Sequence, residues 1–416
     1  MSPSYSELFS TFGRIGIYSF GGPAAQIALM HRELVERKGW IEEDDFLSAL
    51  SFCMLLPGPE AMQLATYTGW RLSGVNGALT AGLLFVVPGA IAMFAISAIY
   101  AIWRAVPLVE GVFLGAQCTV VAIVIEALFK VSKKALKAPD RWVIAALSFL
   151  ALFAFDVPFP AIIALSAIWG VIFAHPDASE RRDETSPSRL HWPILIFCAL
   201  WIIPFVALWT THSVFLWNVA AFFSKLAVVT FGGAYAVLAY MAQEVVAEFG
   251  WISTPQMMDG LALAETTPGP LILVTQFVGF QAGYAAGGMP LAIIAALITL
   301  WVTFVPCFLW IFAGAPFLSR LTASPRISGA LSAISAAVVG VILNLSVWFA
   351  ANVLFRDIGR LDFGPFSVLT VDIASVDWIA VSLTCLGILC LLALRFSLGA
   401  TLLIGAAAGL IFSLAL

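Results

Sequence analysis

Two short runs carry residue types suited to holding an anion inside a membrane: Pro57-Gly58-Pro59 and, 211 positions later, Pro268-Gly269-Pro270. Proline removes a backbone donor and collides with the preceding turn, and glycine adds slack, so no straight helix passes through Pro-Gly-Pro. Both runs sit in strongly apolar sequence, so each reads as a helix broken inside the bilayer. The freed N–H and C=O groups survive there only when buried in protein or lining a wet cavity. A helix restarting after the break turns its N-terminus, worth roughly +0.5 charge, toward that cavity. The chemistry on offer is oxyanion binding by backbone donors. Gly21-Gly22 and Gly232-Gly233 are further breaks that add to the supply.

Side chains near the breaks sharpen this. Arg14 lies seven positions before Gly21, and Lys225 seven before Gly232. A basic side chain at bilayer depth costs about 2.5–3.5 kcal/mol on insertion scales, which makes each a candidate ligand. The alternative is that both snorkel to an interface as anchors. Two cations with several helix N-termini would balance a dianion. Gln63, Thr267 and Gln276 can aim donors at oxyanion oxygens, although interhelical hydrogen bonding is the commoner use of such residues. Glu60 and Glu265 repel an anion unless protonated, and burial favours protonation. They are candidates for proton coupling, or for capping freed N–H groups. Glu33 and Glu244 read as structural carboxylates.

The elements that position these residues come in two copies. Phe20-Gly21-Gly22 matches Phe231-Gly232-Gly233, Glu33 matches Glu244, and Gly39-Trp40-Ile41 matches Gly250-Trp251-Ile252, all at one offset. After a short insertion Pro88 matches Pro306 and Gly111 matches Gly329. Such self-similarity marks an internal duplication, and paired broken segments in corresponding places point to a transporter's binding site. The chain has 416 residues, 62% of them hydrophobic and 11% charged, with a mean hydropathy of +1.01. That excludes a soluble domain and predicts an all-α polytopic membrane protein.

The expected organisation is an N-terminal membrane repeat over 1–175, a polar linker over 176–191, an extra span over 192–212 and a second repeat over 213–416. A kink is expected at Pro88-Gly89, and an external polar loop over 356–377. Basic residues crowd Lys130–Arg141 and Arg181–Arg189, and both stretches belong in the cytoplasm. The unpaired span then carries the chain across, so the two repeats are predicted to have inverted topology with discontinuous helices. The six cysteines lie in apolar runs and read as core residues. The four histidines make no metal-ligand pattern. No phosphate-binding or dinucleotide motif is present. Neither enzyme activity, metal, cofactor nor nucleic acid is expected, and a homo-oligomer is compatible with the sequence.

At these residues the chain resembles the chromate ion transporter family in its long, two-domain form. The resemblance rests on Phe20-Gly-Gly-Pro-Ala-Ala-Gln26, Met30-His31-Arg32-Glu33, Leu56-Pro57-Gly58-Pro59-Glu60 with Gln63, Phe231-Gly232-Gly233, and Glu265-Thr-Thr-Pro-Gly-Pro270 with Gln276. It departs from the family pattern at Ala239, where relatives often carry proline. The resemblance implies chromate efflux across the inner (cytoplasmic) membrane and chromate resistance, with sulfate as a related substrate. Two other readings stand beside it: a sulfate or other oxyanion transporter for which chromate is a mimic, and a membrane protein that binds or senses an oxyanion without moving it.

Overall fold

The computed structural model describes residues 3–104, 106–173, 191–231, 234–318, 324–364 and 366–415. The chain is an all-α polytopic membrane protein, with one β-hairpin among the described residues. Among the described residues, five helices are long and apolar enough to cross a membrane, and shorter apolar helices accompany them. Most of the linker lies outside the described residues.

The duplication is repeated element by element. In the first copy α1 (Tyr5–Ile17) precedes α2 (Gly22–His31), which widens into a π-turn over Arg32–Arg37. Helix α3 (Glu43–Cys53) leads into Pro57-Gly58-Pro59, and α4 (Glu60–Trp103) follows. Next come α5 (Pro107–Ala135), α6 (Pro139–Phe155) and α7 (Phe159–Ile172). Helix α8 (His191–Thr211) is the unpaired span. The second copy begins with α9 (Val214–Val229) and α10 (Ala234–Met241), which again widens into a π-turn, over Ala242–Glu248. Helix α11 (Thr254–Thr266) leads into Pro268-Gly269-Pro270, then a 3₁₀ turn (Leu271–Leu273) and α12 (Val274–Gly314). Helix α13 (Pro325–Leu354), strands β1 (Ile358–Phe363) and β2 (Phe366–Val371), α14 (Trp378–Ile388) with a π-turn over Leu389–Ala393, and α15 (Leu398–Ala415) complete the chain.

The turn inside α4 is not at Pro88-Gly89. Its non-helical dihedrals fall at Ser73 and Gly74, with the match at Gly287 and Gly288 in α12. Gly74 has φ +61 and Gly288 φ +72, a conformation that side chains disfavour. Pro88 needs only the loss of one intrahelical bond, so α4 runs on through it. The stretch 356–377, read as a loop, holds the antiparallel hairpin. Neither strand alternates cleanly, and that hides it from a period-two search.

The chain gathers into two compact units, and each draws on both sequence halves. The first comprises Met1–Ala98, Pro176–Ala234 and Leu263–Pro325. Here α12 packs along α8 and α9: Phe197 lies against Phe308 and Phe312, and the Trp301 indole donates to the Leu200 carbonyl at 2.7 Å. The second comprises Ile99–His175, Tyr235–Ala262 and Arg326–Leu416. Its main seam joins α5 to α15, where Gly111 and Gly115 face Gly409 and Gly405. A Cβ on Gly115 would stand 1.9 Å from the Gly405 carbonyl oxygen. Small residues spaced by four let membrane helices close on each other's backbones. The hairpin docks on this second unit through Phe155–Phe366 and the Asp156–Arg360 ion pair at 3.3 Å.

Candidate functional site

Both Pro-Gly-Pro breaks belong to the first unit, and they are tied to each other's half crosswise. The Gly58 N–H donates to the Thr230 carbonyl at 3.0 Å, and the Gly269 N–H donates to the Ser19 carbonyl at 2.9 Å. Ser19 and Thr230 are equivalent residues, each directly before a Phe-Gly-Gly run. The same small turn precedes both, with Phe20 N–H on the Tyr18 carbonyl and Phe231 N–H on the Val229 carbonyl. Gly58 (φ +114) and Gly269 (φ +89) take backbone conformations that only glycine adopts cheaply.

The carbonyl side of each break is held by a glutamine amide. Gln63 donates to the Pro57 carbonyl at 2.6 Å, within its own half. Gln26 reaches from the other half to the Gly269 carbonyl at 2.7 Å, with a second donation to the Ser19 carbonyl at 3.3 Å. Gln276 donates to the Ala90 carbonyl on α4 at 3.1 Å. The neighbours across the breaks are equivalent too. A Cβ on Gly58 would meet the Cys307 thiol at 3.0 Å, and one on Gly269 would meet the Gly89 Cα at 3.3 Å.

Four buried polar atoms around these contacts have no hydrogen-bond partner among the described residues: Ser19 Oγ, Gln26 Oε1, Gln63 Oε1 and Gln276 Oε1. Buried polar atoms are rarely left unbonded, so groups of this kind call for water or a ligand. The N–H groups of Gly58 and Gly269 are committed to carbonyls. Each break is followed by a helical start, after Pro59 and after Pro270, where first-turn N–H groups lack intrahelical acceptors. Thr267 is buried and spends its hydroxyl on the Ala264 carbonyl at 3.2 Å.

The charged candidates fall in different settings. Glu265 is buried, and one of its carboxylate oxygens lies 3.9 Å from where a Cβ on Gly22 would stand. Glu60 opens α4 and is half-buried. Gly21 is the left-handed cap of α2 (φ +84), and Gly22 also has positive φ, +78. Gly232 and Gly233 lie outside the described residues. Arg14 and Lys225 are both exposed, on α1 and α9. Arg14 borders an open cleft of about 580 Å³ with Arg32, Tyr18 and Phe20. The structure thus places Gln63 at the first break and Gln26 at the second, sets Glu265 beside Gly22, and leaves Arg14 and Lys225 exposed. Glu33 is buried and pairs with Arg37 at 2.7 Å, a structural use.

Two features escaped the sequence. Gln26 is one; a glutamine at a buried position of an otherwise apolar helix was the available signal. The other is a buried cluster in the second unit, around Asp259 on α11. Its carboxylate accepts from the Tyr100 hydroxyl at 2.6 Å and the Gln117 amide at 2.7 Å, with Arg104 at 3.5 Å. The equivalent position in the first copy is Ser48, which is exposed.

The family model described as "Chromate transporter" matches residues 6–171 and 217–411. The chain is 32% identical to a chromate transport protein of Pseudomonas aeruginosa over 346 residues, 82% of this chain and 79% of that one. It is 29% identical to a chromate transport protein of Cupriavidus metallidurans over 362 residues, 82% of each. It is also 33% identical to an uncharacterised transporter of Bacillus subtilis over 150 residues, which make up 36% of this chain and 75% of that one. No solved structure matches. The chain belongs to the chromate transporter family.

Proposed function

We propose that this member of the chromate transporter family exports chromate across the cytoplasmic membrane by alternating access and so confers chromate resistance. Chromate is a tetrahedral dianion whose oxygens accept hydrogen bonds. It suits N–H donors and cations better than soft ligands. The observation that carries the reading is the crosswise exchange between the breaks, with four unpartnered buried polar atoms gathered around it. A scaffold has no evident use for two broken helices tied this way, whereas a transport site requires discontinuous backbone that can be solvated.

In this reading the first turn of α4 and the turn after Pro270 bind the oxyanion, aided by Gln63, Gln276 and the glycines 21, 22, 232 and 233. Arg14 and Lys225 draw the dianion in from the rim. Glu265, next to Gly22, and Glu60, at the start of α4, carry a coupling proton. The chain has no nucleotide-binding motif, so an ion gradient or anion exchange supplies the energy. The repeats 1–175 and 213–416 are inverted in the inner membrane, with 176–191 cytoplasmic and 192–212 making the crossing.

The test is chromate flux in proteoliposomes. Arg14→Ala combined with Lys225→Ala lowers flux about tenfold or more, the equivalent of losing about 1.4 kcal/mol. Unchanged flux removes the charge role. Competition by unlabelled sulfate at equal potency makes chromate a mimic, and binding without counterflow replaces transport with sensing.

A further inference from the structure

The second unit carries a cleft of about 330 Å³ that the transport reading does not use. It lies where α5 ends and α15 begins. Lys130 and Lys133 line it from α5, and Arg395 lines it from the turn before α15. Phe129, Leu392 and Phe396 line the same cleft and are all largely exposed. Lys130 pairs with Glu126 at 2.7 Å. Lys133 and Arg395 form no ion pair among the described residues and are exposed. Arg395 is one of the few residues other than glycine with positive φ, +55. That strained conformation costs free energy and sets the side chain's departure at this turn.

We propose that this cleft binds an anionic phospholipid, its phosphate on Lys133 and Arg395 and its acyl chains along the exposed apolar side chains beside them. Three facts favour a lipid over a soluble anion. The cations stand at the end of an apolar helix of membrane-spanning length, where headgroups lie. The apolar side chains share the cleft with the charges and would gain nothing from inorganic phosphate. Lys134 and Lys137 follow immediately, so the positive field continues along one interface. Basic pockets between membrane helices hold anionic headgroups by this combination of point charges and apolar contact.

The experiment uses the purified full-length chain in a neutral detergent. Phosphatidylglycerol, phosphatidylcholine and inorganic phosphate are titrated separately, read by thermal shift and by native mass spectrometry of retained lipid. Phosphatidylglycerol is expected to raise the melting temperature and to remain bound, and the other two are not. Lys133→Gln with Arg395→Gln is expected to weaken the apparent phosphatidylglycerol affinity about 30-fold, since each basic residue near a charged surface is worth about a factor of five. Lys137→Gln, outside the cleft, changes it by less than the double substitution does. The proposal is overturned if phosphatidylcholine stabilises equally, if inorganic phosphate gives the same shift, or if the double variant binds phosphatidylglycerol like the parent. Both altered side chains are exposed, so the variants fold, and an unchanged melting temperature without lipid verifies this.

Discussion

The two breaks share a backbone plan and differ in nearly every side chain around it. At both, the glycine N–H crosses to the carbonyl before the other half's Phe-Gly-Gly run. At the first break the carbonyl is held locally by Gln63, the contact across is a thiol, and Glu60 follows it. At the second, Gln26 reaches over from the other copy, the contact across is the bare Cα of Gly89, and Glu265 precedes it. Helix α11, which leads in sequence to the second break, carries the buried Asp259 cluster, where the first copy has exposed Ser48. Duplication preserved what the backbone requires, and the side chains were free to specialise. A side chain stands nearest each glycine, the Cys307 thiol at Gly58 and Leu273 Cδ1 at Gly269, and only the second also has a backbone atom close by, the Gly89 Cα at 3.3 Å.

The sharpest way to break this comparison is at the Asp259 position of α11. Asp259→Ala leaves Tyr100, Arg104 and Gln117 without their acceptor and should destabilise the protein by about 3–5 kcal/mol, as removing one partner of a buried charge pair does. Ser48→Ala should change stability by less than about 0.5 kcal/mol. Thermal unfolding of the two purified variants checks this, and equal effects would erase the asymmetry.

Next come the glycines. Gly58→Ala and Gly269→Ala each impose a strained φ costing about 1–3 kcal/mol, and both should lower chromate flux. Their rescue differs. Cys307→Ala beside Gly58→Ala removes the nearer of the two side-chain atoms the new methyl meets, the other being Gln63 Nε2 at 3.1 Å, and should restore part of the stability. At Gly269→Ala the nearest atom is Leu273 Cδ1 at 3.1 Å, so Leu273→Ala should relieve part of the strain, while the Gly89 Cα at 3.3 Å stays in place.

A smaller effect separates the glutamines. Gln26→Leu leaves a buried Gly269 carbonyl unbonded at a cost of about 1–3 kcal/mol. Gln63→Leu does the same to the half-buried Pro57 carbonyl and should cost less. Hydrogen exchange at the amides following each break reads the difference.

The smallest effect lies in the second unit. Asp377 is partly buried, which raises its pKa. That is outweighed by the Ala380 N–H, the Arg356 guanidinium and the Ile379 N–H, so the carboxyl sits below its ordinary value. A depressed folded pKa gives stability that is present above the unfolded value, near 3.9, and is lost as pH falls through the folded one. Below about pH 4 the hairpin amides should exchange faster, and Asp377→Asn should remove that dependence while leaving chromate flux unchanged.

The architecture was legible where it depends on periodicity and on proline or glycine. The spans, the duplicated breaks and the extra helix could all be read from residues 20–22, 57–59, 192–211 and 268–270 alone. What stayed hidden depends on distance along the chain. Nothing local says that the Gly58 N–H will find Thr230, or that Asp259 will meet Tyr100 and Gln117. The break at Gly74 was legible as well, since the sequence ends one span near Trp70-Arg71 and begins the next at Asn76. The exposure of Arg14 and Lys225 was invisible because periodicity in an apolar helix does not tell a lipid-facing side from a buried one.

The exchange between Gly58 and Thr230, and between Gly269 and Ser19, has the form of a handshake: each partner gives what it receives. An isolated N-terminal half would hold out the Gly58 amide and the Ser19 carbonyl with nothing to grasp. Two identical halves related by a twofold axis would satisfy each other completely. A single gene of half this length therefore already contains the whole bonding scheme, and fusing two copies changes only how independently each side can diverge.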